Sequence, residues 1–373
     1  MRTAKSRKIM TKNELIEKYT SAPPLKESLA EGRRPVVLYG TGNGADKVIS
    51  MLLEPIGIRP EAVFASEGFV RHRMYAGYEV KCYMDVALKY GGDMDVLMCF
   101  GSDRPEVIRF AEGLDRIHRF AIPDVPLYGA GLFDTDYMRE HIDELSEVRA
   151  MFADDYSKEL FDESVLYRLT GKLKYLQRTE PVADSYRALL GNADIKIAVD
   201  GGAYRGETSR MFAEVLPSLK VIYAVEPDER TIAKFEGPKS CEMEMVFSAL
   251  ADFCGEVTFH GTASRGAGVG GTNRRGKDRT VRCVTLDHAV WEKPDLIKLD
   301  VEGFEECALR GATRLMSEYA PSLAVSLYHR TEDIFALPLM IKNFSPVYAG
   351  MKYYLRRPKC LPCWDLTLFA VKE

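Results

Sequence analysis

The sequence predicts an α/β protein: a smaller N-terminal Rossmann-like domain and a larger C-terminal one, joined by a helical connector. Three observations carry that prediction. Short apolar runs alternate with helical patterns in residues 35–130 and again from residue 191 onward, as expected of parallel strands joined by crossover helices. Ile195-Lys-Ile-Ala-Val-Asp200 feeds a turn with glycines at 201, 202 and 206, then a helical segment. Lys220-Val-Ile-Tyr-Ala-Val225 repeats the strand pattern and ends in Glu226-Pro227.

Taken in order, residues 1–34 read as a helical lead-in. Thr11 with Glu14 three residues on is a capping-box pattern. Residues 35–130 read as the first α/β domain, with strands at Pro35–Tyr39, Ala62–Ser66 and Met94–Phe100. Gly40-Thr-Gly-Asn-Gly44 follows the first of these. It is half of a dinucleotide fingerprint, and Ser66 stands where a ribose-binding acid would be expected. A structural or partner-docking domain is therefore favoured over one that binds a nucleotide or sugar nucleotide. Residues 131–190 carry recurrent helical spacing and read as the connector.

Residues 191–373 read as the second domain. After Glu226 come a short helix at Thr231–Phe235 and a third strand at Met243–Phe247, leading into Ser248-Ala249. Glu256–His260 turns back. Arg265, Arg274, Arg275 and Lys277 then offer cations to an anionic substrate group, with a solvated charged loop as the default. Pro294–Leu299 is the fourth strand, ending in Asp300-Val-Glu302-Gly303 before a helix. Ser322–Tyr328 is the fifth and ends at His329. Tyr353–Arg356 and Asp365–Val371 close the sheet as an antiparallel pair.

The turn after Asp200 has the spacing Asp-x-Gly-x-x-x-Gly. A dinucleotide fingerprint presents a helix N-terminus to a pyrophosphate, whereas an acid at the strand tip suits a cationic or hydroxyl-bearing ligand. S-adenosylmethionine has a sulfonium, an ammonium and a ribose diol, and no phosphate. A carboxylate at the tip of the second strand, Glu226, is placed to accept from both hydroxyls of a diol. Ser248 and Ala249, at the tip of the neighbouring third strand, would line an adenine slot through backbone groups.

Composition bounds the partners. The chain has 373 residues, 46% hydrophobic and 28% charged, with formal net charge −4. This suits a globular enzyme of two domains and gives no basic field for nucleic acid. Eight cysteines form no disulfide framework, and Cys360-Leu-Pro-Cys363 alone is weak evidence for a metal. The N-terminal basic residues precede no apolar segment, and no run of about 18 apolar residues occurs. A cytoplasmic protein with no bound metal is expected, with a homo-oligomer compatible with the sequence.

The C-terminal half resembles the FkbM-type S-adenosylmethionine-dependent methyltransferases. The resemblance rests on Val199-Asp-Gly-Gly-Ala-Tyr-Arg-Gly-Glu-Thr208, Val225-Glu-Pro227, Ala249-Leu-Ala-Asp252, Val284-Thr-Leu-Asp287 and Ile297-Lys-Leu-Asp-Val-Glu-Gly-Phe-Glu305. Ser157-Lys and Tyr167-Arg-Leu-Thr-Gly171 resemble members with an N-terminal Rossmann-like domain. The resemblance implies a seven-stranded class I methyltransferase domain and O-methylation of a sugar or natural-product hydroxyl. The acceptor would be a small molecule or a glycan.

On that reading the cofactor site comprises Asp200, Gly201, Gly202, Ala203, Gly206, Glu226, Pro227, Ser248 and Ala249. Asp300, on the strand beside the first, is the leading candidate to accept or orient the acceptor hydroxyl. His329 is the second candidate, because its resting pKa is nearest neutrality. The rival reading is a nucleotide- or nucleotide-sugar-binding oxidoreductase or assembly protein that uses the N-terminal domain.

Overall fold

A computed structural model describes residues 10–66, 68–70, 74–129, 131–260, 268–269 and 278–372. The chain divides into two compact units. One comprises Met1–Val125, Gly131–Arg178 and Cys360–Cys363; the other comprises Pro126–Ala130, Thr179–Lys359 and Trp364–Glu373. Most of the stretch read as a connector thus belongs to the first unit, and the second unit takes in a short piece of chain from just before it.

The first unit is built on β1 (Val36–Tyr39), β2 (Ala62–Phe64), β3 (Met74–Tyr75), β4 (Tyr78–Lys81), β5 (Asp95–Met98) and β6 (Arg119–Ala121). Their order is β3-β4-β2-β1-β5-β6, parallel except for the β3–β4 hairpin. The β1 and β5 side chains are buried throughout, as expected of parallel strands covered on both faces. Gly40 has φ +106°, and a Cβ there would run into the Phe100 ring; one on Gly44 would overlap the Cys99 carbonyl. These glycines let the turn after β1 lie directly on the end of β5.

Helix Lys12–Tyr19 begins with the expected capping box between Thr11 and Glu14. Its far end is tied down by Asp162, buried on helix Asp155–Thr170. That carboxylate accepts from the Tyr19 hydroxyl at 2.8 Å, from Lys18 at 2.6 Å and from the Arg149 fork at 2.8–3.0 Å. Three donors on one buried carboxylate offset its desolvation.

The second unit contains β7 (Ile197–Gly201), β8 (Val221–Val225), β9 (Glu242–Val246), β10 (Ala249–Leu250), β11 (Gly255–His260), β12 (Gly268–Val269), β13 (Asp278–Val284), β14 (Leu296–Leu299), β15 (Ser322–Ser326), β16 (Lys352–Arg356) and β17 (Thr367–Val371). Seven strands form one sheet in the order β16-β17-β15-β14-β7-β8-β9. Only β17 is reversed, pairing antiparallel with both β15 and β16; the other neighbours pair parallel. The strand order reverses at β7, so the carboxyl ends of β7, β8 and β14 border the crevice where such sheets bind ligands. Both expected acids stand there, Asp200 within β7 and Glu226 just beyond β8. A four-stranded sheet, β10-β13-β11-β12, branches from the end of β9. Among the described residues no helix is long and apolar enough to cross a membrane.

Candidate functional site

The turn after β7 is shaped by its glycines. Gly202 has φ +76°, and a Cβ there would overlap the carbonyl oxygen of Asp300 at the end of β14. Gly206 has φ +85° and opens helix Glu207–Val215. Its added Cβ would press on the Glu236 carbonyl. Between them Tyr204 also has a positive φ, 48°, a conformation costly for a residue with a Cβ. The N–H groups of Gly202 and Ala203 both donate to the Val225 carbonyl at 3.0 Å. The turn is therefore pinned to β8 on one side and pressed on β14 on the other.

Asp200 lies beneath this turn with no exposed surface. One oxygen accepts from the Ser209 hydroxyl at 2.7 Å, the other from the Lys298 ammonium at 3.0 Å. Lys298, on the adjacent β14, also donates to the carbonyls of Gly201 at 3.1 Å and Gly202 at 3.0 Å. Burial works against its charge, but Asp200, Asp300 and Glu226 outweigh it and hold the ammonium pKa above its ordinary value. Asp200 thus fixes the floor of the crevice and presents no open face to a ligand. The role of Lys298 is not legible in the sequence. The available signal was a lysine inside a run otherwise buried on every side.

Glu226 stands at the rim. Its side chain accepts from the Tyr204 N–H at 3.1 Å and from the Asp228 N–H at 2.9 Å, one on each oxygen. A carboxylate has about four lone-pair sites, so two remain for a ligand. Burial pushes its pKa up to about 7 against the pull of those N–H donors and of Lys298. Pro227 follows, half-buried. Ser248 is buried just past β9, and its N–H already donates to the Val246 carbonyl at 3.0 Å. Ala249 is buried in β10, paired with Cys283 of β13. Gly201 closes β7 opposite Leu299 and Val225, and the Ala203 side chain is buried.

A second group of acids gathers where β14 and β15 end. Asp300 accepts from the Tyr328 hydroxyl at 2.9 Å. Burial raises its pKa, but Lys298, His329 and the hydroxyls of Tyr328 and Ser326 prevail and hold it below the usual carboxylate range. Its side chain is still 31% exposed. His329 is wholly buried, with Nε2 at 3.6 Å from both Asp300 and Glu302, and Nδ1 at 3.0 Å from Glu305. Burial opposes its charge, but these carboxylates win and push its pKa up to about 10. His329 therefore keeps its proton at neutral pH. The near-neutral titration expected of it is not found, because three acids surround a ring that water does not reach.

The helix that follows is not capped by Asp300 or Glu302. Its N-cap, Phe304, makes no side-chain bond, and Glu305 reaches back to the Val301 N–H at 2.8 Å. Glu302 has φ 57° and Gly303 φ 89°, where a Cβ on Gly303 would meet the Tyr128 ring. Tyr128 comes from the short piece at 126–130. It donates its hydroxyl to Glu302 at 3.4 Å and its N–H to the His329 carbonyl at 3.0 Å. Nothing in the local sequence announces this long-range contact. Arg265, Arg274, Arg275 and Lys277 lie outside the described residues. All eight cysteines are free thiols.

Comparison with known proteins bears on the fold and the family. Residues 200–345 match the family model described as the methyltransferase FkbM domain. No curated protein matches the chain. A solved structure described as methyltransferase FkbM from Methylobacillus flagellatus KT aligns at TM-score 0.68 with 18% identity, over 97% of this chain and 100% of that one. An rRNA methylase from Streptococcus thermophilus aligns at TM-score 0.32 with 12% identity, over 52% of this chain and 98% of that one. The first likeness is one of fold, and it spans both units.

Proposed function

We propose, from the match of residues 200–345 to the family model described as the methyltransferase FkbM domain, that the protein is an S-adenosylmethionine-dependent O-methyltransferase. The acceptor is a hydroxyl of a sugar, a polysaccharide precursor or a natural product. The observation that carries the reading is Glu226. It is a carboxylate at the carboxyl end of β8, 8% exposed, held by one N–H on each oxygen and one strand away from the glycine turn.

The residues fit the cofactor. Two acceptor sites left on Glu226 match a ribose diol, and the glycine turn lets backbone approach the methionine moiety closely. The lack of a dinucleotide fingerprint agrees with a ligand that carries no phosphate. When bound, the cofactor supplies an electrophilic methyl group on a sulfonium.

The chain's own residues do the rest. Lys298 and Asp200 hold the turn in one conformation. Asp300, ionised across the neutral range, orients the acceptor hydroxyl and receives its proton. Tyr328 fixes the Asp300 carboxylate by its hydrogen bond. His329, buried 3.6 Å from Asp300, is a positioning residue for that carboxylate. Alignment of the hydroxyl supplies most of the acceleration. The test is turnover: purified protein with S-adenosylmethionine and a panel of hydroxylated sugars should release S-adenosylhomocysteine only when an acceptor is present. Failure of every acceptor in the panel to give release, together with failure to bind the cofactor, would defeat the reading.

A further inference from the structure

The acids around His329 form a group that the methyl-transfer reading does not use in full. Asp300, Glu305 and His329 each offer a ligand atom within 4.8 Å of the others. Glu302 stands 3.6 Å from the same Nε2 as Asp300. Both spacings are too long for a hydrogen bond. They are close to the separation of two donors that share one ion at about 2.1 Å.

Two further observations point to a ligand. Neither nitrogen of His329, 0% exposed, makes a geometrically acceptable hydrogen bond, although its Nδ1 lies 3.0 Å from Glu305. Glu305, 1% exposed, has Oε1 on the Val301 N–H, while its Oε2 has no hydrogen-bond partner at all. Buried polar atoms are seldom left so, and the unbonded Nε2 stands between two carboxylates, those of Asp300 and Glu302. The formal charges agree. Asp300, Glu302 and Glu305 bring three negative charges, and Asp333 lies buried nearby on the next helix, while Lys298 is already engaged with Asp200.

We propose that His329, through Nε2, binds one divalent metal ion together with Asp300 and Glu302, while Glu305 holds the ring from its Nδ1 side. One imidazole nitrogen among carboxylate oxygens suits a first-row ion such as Mn2+ or Zn2+ better than a purely oxygen-seeking one. The site lies within the second unit at the ends of β14 and β15. An ion there would stand beside the Asp300 carboxylate, where an acceptor oxygen could complete its coordination.

The full-length protein, stripped with chelator and returned to chelator-free buffer, is titrated with Mn2+, and free ion is followed by electron paramagnetic resonance. One equivalent should bind saturably. Glu305→Gln and His329→Gln should each weaken binding at least tenfold, and Glu306→Gln, on the exposed face of the same helix, should leave it unchanged. If the buried variants do not fold, Asp300→Asn, at the partly exposed edge, gives the same reading. Co2+ in place of Mn2+ should develop visible absorption that these variants lose. No saturable binding of either ion by the parent protein, or binding unchanged in the folded variants, overturns the site. The titration contains no cofactor or acceptor, so its failure would leave the methyl-transfer reading standing.

Discussion

The Lys298 ammonium lies 3.0 Å from the Asp200 carboxylate, on the neighbouring strand and 98 residues away in sequence. The same ammonium holds two carbonyls of the glycine turn. One cation thus joins the two strands that border the crevice and sets the backbone between them. Lys298→Met leaves Asp200 as an unpaired charge in a site with no exposed surface, at a cost of about 3–5 kcal/mol. Urea unfolding should show that loss. The pair Asp200→Asn with Lys298→Met should lose clearly less than the sum of the single changes.

Gly202→Ala tests the contact between the turn and β14. The new methyl would overlap the Asp300 carbonyl, at a φ that disfavours alanine. Strain of about 1–3 kcal/mol should appear in thermal unfolding. Affinity for S-adenosylhomocysteine should fall more than tenfold while the circular dichroism spectrum is kept.

Glu226 gives a pH dependence with a definite sign. Its pKa is about 7 in the folded protein against roughly 4.3 in an unfolded chain. Between these values the folded state holds more protons than the unfolded one, so this group lowers stability as pH rises from about 4.3 to 7. Cofactor binding runs the other way, because the ionised carboxylate is the better acceptor of two hydroxyls. Affinity should rise through pH 6–7 and level off above pH 8. In Glu226→Gln the affinity slope should vanish and the stability slope should become shallower, since buried Asp333 contributes in the same window, which isothermal titration and urea melts across the range would check.

Asp300→Asn keeps the shape of the side chain but removes the proton acceptor. Turnover should drop by roughly 10²–10⁴, with cofactor affinity within a few fold of the parent. Full activity would remove Asp300 from the chemistry.

The features legible in the sequence were those written locally. The apolar runs marked β7, β8, β9, β14 and β15 to within a few residues, because buried strands leave little choice of side chain. The glycine turn and Glu226 were readable because positive φ and a strand-tip acid each need particular residues. What escaped depends on distant partners. Lys298 is a charge inside an apolar strand, and its meaning waits on Asp200. The setting of His329 comes from acids at 300, 302 and 305 and from Tyr128, brought together only by the fold. Helix Asp333–Phe344 is hidden in the sequence because it is nearly all apolar and contains Pro338, which blurs its helical period.

The most direct measurement is calorimetric binding of S-adenosylhomocysteine at pH 8 to the parent protein and to Glu226→Ala. One equivalent should bind the parent, and loss of the diol's acceptor should weaken binding by at least about a hundredfold in a variant that remains folded. Equal affinity in the two proteins, or no binding by the folded parent, would contradict the account.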